Sequence, residues 1–221
     1  QTFGTVSTYE WSDNPALCFL DYITNTEYGK GLPIAKVNTT TFTTAANIAD
    51  TAKAFGVSAK TAGAVTNELI KQGATQAEAA KIQQEANALA VQSGVNVAAV
   101  QKDIAENASS AAQFIGGSGT ELAKAAVEAA KMGVTLEQMV KTSEGLLDIE
   151  NSLQKQFRAQ ALTGKSLNFD KARQLALNGD IVGAQKEMLR QAGSLEDFNN
   201  MNVVQRQALA EAMGMEVGDL Q

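Results

Sequence analysis

The chain has 221 residues, a formal net charge of −6, no histidine, one cysteine and two prolines. Without imidazole there is no Ser-His-Asp triad, no histidine general base and no histidine metal ligand. A single thiol builds neither a four-cysteine zinc site nor an internal disulfide. With 18 Lys+Arg against 24 Asp+Glu, the surface is poorly suited to neutralising phosphates. Enzymes built on carboxylates, lysine or bound nucleotide survive this screen, as do binding and structural proteins, but no residue is singled out as catalytic or as holding a cofactor or metal, and no nucleic-acid partner is expected.

The length accommodates one or two domains with a sizeable core, and the cysteine usage fits a reduced compartment or a particle that needs no disulfides. The chain begins at Gln1 rather than a methionine, as in a fragment or processed product, and no basic segment followed by an apolar run marks a signal peptide. The longest uncharged stretch, Ala86 to Gln101, is interrupted by Asn, Gln and Ser. It falls short of the roughly 18 apolar residues of a membrane-spanning helix.

Composition changes sharply near residue 50. Residues 1–50 hold both prolines, the cysteine, the tryptophan, all three tyrosines and ten threonines, whereas residues 51–221 hold 32 alanines and no Pro, Cys, Trp or Tyr. β-Branched and aromatic residues favour strands while alanine favours helix. The expected fold is mainly α: an alanine-rich bundle of short, glycine-punctuated helices (51–221) preceded by a short α+β N-terminal arm (1–50), with a boundary near Asn47 to Lys53.

In chain order, Thr2 to Trp11 alternates with a period of two and reads as a strand added to another sheet. Asn14-Pro15 then reads as an N-cap and first helical residue, opening a helix of about three turns through Leu17, Leu20 and Thr24. Tyr28 to Pro33 breaks it. The threonine-rich Val37 to Thr44 reads as β, leading into a helix at Ala45.

From residue 51 onward, Gly56, Gly73, Gly94, Gly116, Gly133, Gly164, Gly179, Gly193 and Gly214 each close a helical run. Thr75-x-x-Glu78 and Thr135-x-x-Gln138 are capping boxes that restart the next helix, with Val134 placed to staple onto Met139. Gly56-Val57-Ser58, Gly94-Val95-Asn96 and Gly193-Ser194 are looser versions of the same device. About ten short helices with antiparallel neighbours result. The glycine spacing is irregular, so no fixed-period solenoid is evident. Lys171 to Leu189 reads as one helical hairpin.

Several motifs invite chemistry. Gly164-Lys165-Ser166 matches the tail of a phosphate-binding loop, but Ala159 stands where its first glycine belongs and a helix precedes it, so a helix C-cap is expected. Phe114 to Thr120 is a glycine loop whose amides could hold an anion, or an interhelical hinge. Glu144/Asp148 and Glu196/Asp197 are acidic pairs without neighbours to separate their pKa values. Leu146, Leu147, Ile149, Leu153 and Phe157 form an apolar stripe, a core face or a partner-binding seam. Trp11, Tyr22 and Tyr28 crowd a segment too short to bury them and are candidate interface anchors. Cys18 reads as a small buried hydrophobe.

Two stretches resemble known families. Residues 103–221 resemble a region of the tape measure proteins of tailed bacteriophages, through Asp103-Ile104-Ala105-Glu106-Asn107, Ser143-Glu144-Gly145-Leu146-Leu147-Asp148, Lys171 to Asp180 and Asn202 to Met215, and the helices from Ala54 look like its upstream part. Residues 11–32 are similar to a segment of phage tail-tip and baseplate hub proteins, matching at Asp13, Asn14, Pro15, Ala16, Asp21, Tyr22, Asn25, Tyr28, Gly29 and Gly31. In the families they resemble, the two segments belong to different tail proteins.

The resemblance implies a structural virion component of tail or baseplate, oligomeric in the particle, assembled in the host cytoplasm and serving tail assembly or genome delivery through other tail and baseplate proteins. It brings no catalytic residue. Two other readings remain open: a cytoplasmic all-α adaptor that holds a peptide or helix on its Lys171–Leu189 hairpin, and a cell-wall hydrolase using its carboxylates.

Overall fold

A computed structural model describes residues 12–220. Twelve α-helices occupy them: α1 (Pro15–Thr24), α2 (Thr39–Phe55), α3 (Ala59–Lys71), α4 (Gln76–Gln92), α5 (Val97–Ala111), α6 (Gly119–Lys131), α7 (Leu136–Leu147), α8 (Ile149–Thr163), α9 (Asp170–Leu177), α10 (Ile181–Ala192), α11 (Leu195–Asn199) and α12 (Val203–Met213). Short 3-10 turns stand at Ile34–Lys36 and Val217–Leu220. The mainly helical fold is as expected. The α+β character of the arm is not: no strand occurs among the described residues, and the expected strand at Thr2 to Trp11 lies outside them.

The correction at Val37 to Thr44 has a local cause. Asn38 caps α2 by accepting the Thr41 N–H, and the hydroxyls of Thr43 and Thr44 donate to the carbonyls of Thr39 and Thr40, at 3.0 and 2.9 Å. Threonine side chains turned back onto the preceding turn satisfy themselves inside a helix, so β propensity loses. α2 consequently runs unbroken across residues 47–53, where the composition changes.

Stop and start signals work as the chemistry requires. Eight of the nine expected stop glycines have positive φ; Gly116 does not. There α5 ends earlier, at Ala111, and Ile115 already closes onto the Ala111 carbonyl. Both expected capping boxes form, and two more appear at Ser194/Asp197 and Asn202/Gln205.

The helices stack in two rows. α3, α5, α7 and α9 pack successively along one, and α2, α4, α6 and α10 along the other. A repeat hides behind the irregular glycine spacing. Gly-Val-cap stands at 56–58, 94–96 and 133–135, and each copy opens a helix of the first row, α3, α5 or α7. In each copy the valine N–H donates five residues back, to the carbonyls of Ala52, Ala90 and Ala129. This is the closing bond of a Schellman motif. The period is carried by every second helix junction, so successive glycines do not show it.

One continuous core runs from Val65 on α3 to Met215 beyond α12. α6 sits inside it, burying Leu122, Ala123, Ala125, Ala126, Val127 and Ala129 against α4, α5, α7 and α10. A buried methyl is worth only about 0.8 kcal/mol against about 1.5–3 kcal/mol for a buried leucine. Alanine faces therefore hold by close approach of backbones rather than by bulk.

Candidate interaction surfaces

The N-terminal hairpin, α1 packed against α2 with the loop between them, is held by residues from Asp13 to Gly31. Asn14, buried to 4% exposure, caps α1 at the Ala16 N–H (3.0 Å) and donates through Nδ2 to the Ala46 carbonyl (2.9 Å) and Asp50 Oδ1 (2.7 Å) on α2. Pro15 takes the first helical position, and Asp13 pairs with Lys53. After α1 the Asn25 carboxamide accepts the Glu27 and Tyr28 N–H groups. The Tyr28 hydroxyl reaches back to Asp21, and Lys30, Gly31 and Leu32 donate to Tyr22, Asn25 and Ile23 carbonyls. Gly29 lies so close that a Cβ would stand 1.9 Å from the Tyr22 carbonyl oxygen. Gly31 has φ 63°, a conformation that glycine alone adopts without cost.

That local bonding leaves apolar side chains turned outward. Phe19, Tyr22, Tyr28, Leu32 and Ile34 are all exposed, Tyr28 to 64%. Phe19 meets Phe42 of α2 with ring centroids 6.0 Å apart. Only Leu20 of α1 is a buried apolar residue. Of the three expected aromatic anchors, Tyr22 and Tyr28 therefore lie on one short outward-facing segment, and Trp11 lies outside the described residues. Phe19, Leu32 and Ile34 were missed in the sequence. Phe19 lies off the Leu20 face of α1 and meets α2 at Phe42, whereas Leu32 and Ile34 follow α1 in the loop and the 3-10 turn, so no single helical spacing marks the three together. Cys18 is exposed rather than buried, because it stands off that same face.

The second expected stripe divides. Leu146 is buried at 2% exposure on α7, so it belongs to the core and not to a partner-facing surface. Asp148 ends α7 and caps α8 at Asn151, and this junction turns the remainder outward. Ile149 and Phe157 are exposed and Leu153 is half-buried, spaced four residues apart along α8. The opposite side of α8 is engaged with α12, through Arg158–Glu211 at 2.8 Å and Gln205 Nε2 to the Leu162 carbonyl at 2.9 Å.

The chemical motifs resolve into structure. Gly164 caps α8 with φ 70°. Lys165 Nζ donates to the Ala192 carbonyl at 2.8 Å, at the C-terminus of α10, and lies 3.7 Å from Asp197. In the Phe114–Thr120 loop, Gly119 is the first residue of α6, and a Cβ there would stand 2.9 Å from Leu69 Cδ2. Glu144 and Asp148 are exposed, as are Glu196 and Asp197. Lys171 to Leu189 does form a hairpin, α9–α10, but α7 packs on both of its helices. Among the described residues no cluster of His, Cys, Asp or Glu could hold a metal, and no helix is long and apolar enough to cross a membrane.

Three buried charged groups stand out. Asp103 on α5 accepts the Leu136 N–H at 2.9 Å and Asn107 Nδ2 at 2.8 Å. Burial pushes its carboxyl above the usual range, and Glu106 and Glu137 add to this. Glu187 on α10 takes hydrogen bonds from Arg190 and Gln191 and pairs with Lys171, which hold its carboxyl down at about 2. Arg173 on α9 donates to Ser152 Oγ (3.0 Å), Gln156 Oε1 (2.7 Å) and Asp170 (2.9 Å). All three link helices.

No protein-family model matches the chain, no characterised protein matches it in sequence, and no solved structure matches it.

Proposed function

We propose that this chain is a structural component of a tailed-phage virion, in the tail tube, tail tip or baseplate, where it works through contacts with other tail proteins and performs no catalysis. The observation that carries the reading is the N-terminal hairpin. The ten residues by which it resembles tail-tip and hub proteins each serve a local role, or flank one that does, and the hairpin they build presents Phe19, Tyr22 and Tyr28 to the outside. A short segment stabilised by its own caps and displaying aromatic anchors is a docking element. The helical stack behind it supplies a rigid mount, and the outward Ile149–Leu153–Phe157 stripe supplies a second contact.

Purified particles provide the test. The chain should be present at a fixed copy number after gradient purification and a high-salt wash. The double variant Phe19→Ser/Tyr22→Ser should keep its helical content yet fail to enter particles. Absence of the wild-type chain from particles, or normal incorporation of the variant, overturns the reading.

A further inference from the structure

Large exposed apolar side chains concentrate in two places. Among the described residues, five belong to the hairpin between Phe19 and Ile34, and six to the α7–α8 turn, α8 and the first turn of α12: Leu147, Ile149, Phe157, Leu162, Val203 and Val204. From Ala35 to Leu146 only Ile70 and Val91 are exposed in this way. The two groups stand at separate ends of the packing order. α1 packs on α2, α8 packs on α7 and α12, and α3 to α6 lie between, so the hairpin and α8 of one chain are held apart. A stack of repeated helix pairs stays in solution when its outermost layers turn polar faces outward. Here the middle layers do so and the end layers do not.

Charge follows the same division. Lys71, Lys81, Lys102, Lys124, Lys131 and Lys141, along α3 to α7, each pair with a glutamate three or four residues away. At the ends, charges of both signs have no ion-pair partner among the described residues. Glu27, Lys30 and Lys36 flank Tyr28, Leu32 and Ile34 of the hairpin, and Glu150 and Lys155 flank Ile149 and Phe157 on α8. Each end thus presents an apolar centre bordered by an acid and a base that lack partners. A second copy of the chain answers both ends at once, because each end carries the charges that the other lacks.

We propose that this chain associates head to tail with itself, the hairpin surface of one copy covering the Ile149–Phe157 face of α8 in the next. A contact between two different patches leaves one patch free at each end, so growth continues past two chains. The proposal rests on the reading of the hairpin as a docking element and names its partner. Association is measured on the purified full chain, so it fails or stands separately from incorporation into particles.

Sedimentation velocity over a concentration series reads the result. The mean mass of the wild type should rise with concentration past that of two chains. Leu32→Ser/Ile34→Ser removes one surface and Ile149→Ser/Phe157→Ser the other; all four side chains are exposed, so helical content by circular dichroism should be unchanged. Each variant alone should need at least about tenfold more protein to associate, the loss of one interface anchor. Mixed in equal amounts, the two variants should recover association and stop at one of each, because the mixture pairs an intact hairpin with an intact α8 face. Val91→Ser, which removes a comparably exposed side chain from the middle of the stack, should change nothing. A wild type that stays monomeric at every concentration, or one that stops at two chains, overturns the proposal. So does association that only one of the two variants weakens, or a mixture no better than either variant alone.

Discussion

The carboxylate of Asp103 accepts the backbone N–H of Leu136 at 2.9 Å across 33 positions of chain. Leu136 is the first residue of α7, where amide donors have no partner inside the helix, so one acidic side chain closes α5 onto α7 in the middle of the stack. Burial raises the Asp103 pKa above its ordinary 3.8. This group's contribution to stability is therefore full below pH 3.8 and declines as pH rises through the folded value. Asp103→Asn keeps an acceptor without the charge and should flatten that decline in urea unfolding followed against pH. Asp103→Ala, which strands the Leu136 donor, should cost about 1–3 kcal/mol.

Glu187 has the opposite sign. Held at about 2 against an ordinary 4.5, its contribution is full above pH 4.5 and is lost as pH falls toward 2. Acid titration of the denaturation midpoint should show this loss in the wild type, and Glu187→Gln should remove it. Raising the salt concentration should shrink the effect, because the Arg190 and Lys171 arms that hold the carboxylate are largely exposed. A variant that keeps the wild-type slope would show that other carboxylates govern acid unfolding.

Arg173 is 7% exposed yet bonds two buried acceptors on α8, Ser152 and Gln156, with its guanidinium 6.0 Å from the Phe169 ring centre. Gln156 passes the constraint on by donating to the Leu167 carbonyl at 2.8 Å, which pins the α8–α9 connection. Removing the guanidinium leaves buried acceptors unpaired, so Arg173→Ala should lower stability by about 2–4 kcal/mol in chemical denaturation. Arg173→Lys should not restore it, since an ammonium lacks the planar fork that reaches both acceptors.

Gly29 offers a local test of the hairpin. A methyl group there would meet the Tyr22 carbonyl at 1.9 Å, so Gly29→Ala must open the loop that follows α1. Limited proteolysis should cut the variant between residues 25 and 38 far sooner than the wild type. The unfolding midpoint of the helical stack should stay put, because the main core begins at Val65 and includes no residue of α1. Loss of stability throughout the chain would show instead that hairpin and stack fold as one unit.

Much of the fold is written locally. Helix ends from Gly56 to Gly214, the Asn14-Pro15 start of α1 and the Thr75 and Thr135 capping boxes depend on residues within one or two turns of each other, and reasoning along the chain finds them. The threonines of α2 defeated it because their hydroxyls bond within a helix as readily as their branching suits a strand. The repeat escaped because it lies in alternate junctions, and only the packed rows show which junctions are equivalent.

The candidate surfaces were half legible. An aromatic-rich short segment and an apolar stripe announce themselves in composition, but whether a given side chain is covered depends on helices distant in sequence. Leu146 and Phe157 belong to one stripe on paper, yet the turn at Asp148 buries the first and exposes the second. The sequence by itself determined the helical class and where most helices start and stop, α2's start and α5's end apart, because caps and glycines act over a few bonds. Tertiary structure alone decided the two-row stack, the buried charges that tie it together and the faces left open, because burial is a property of non-local neighbours.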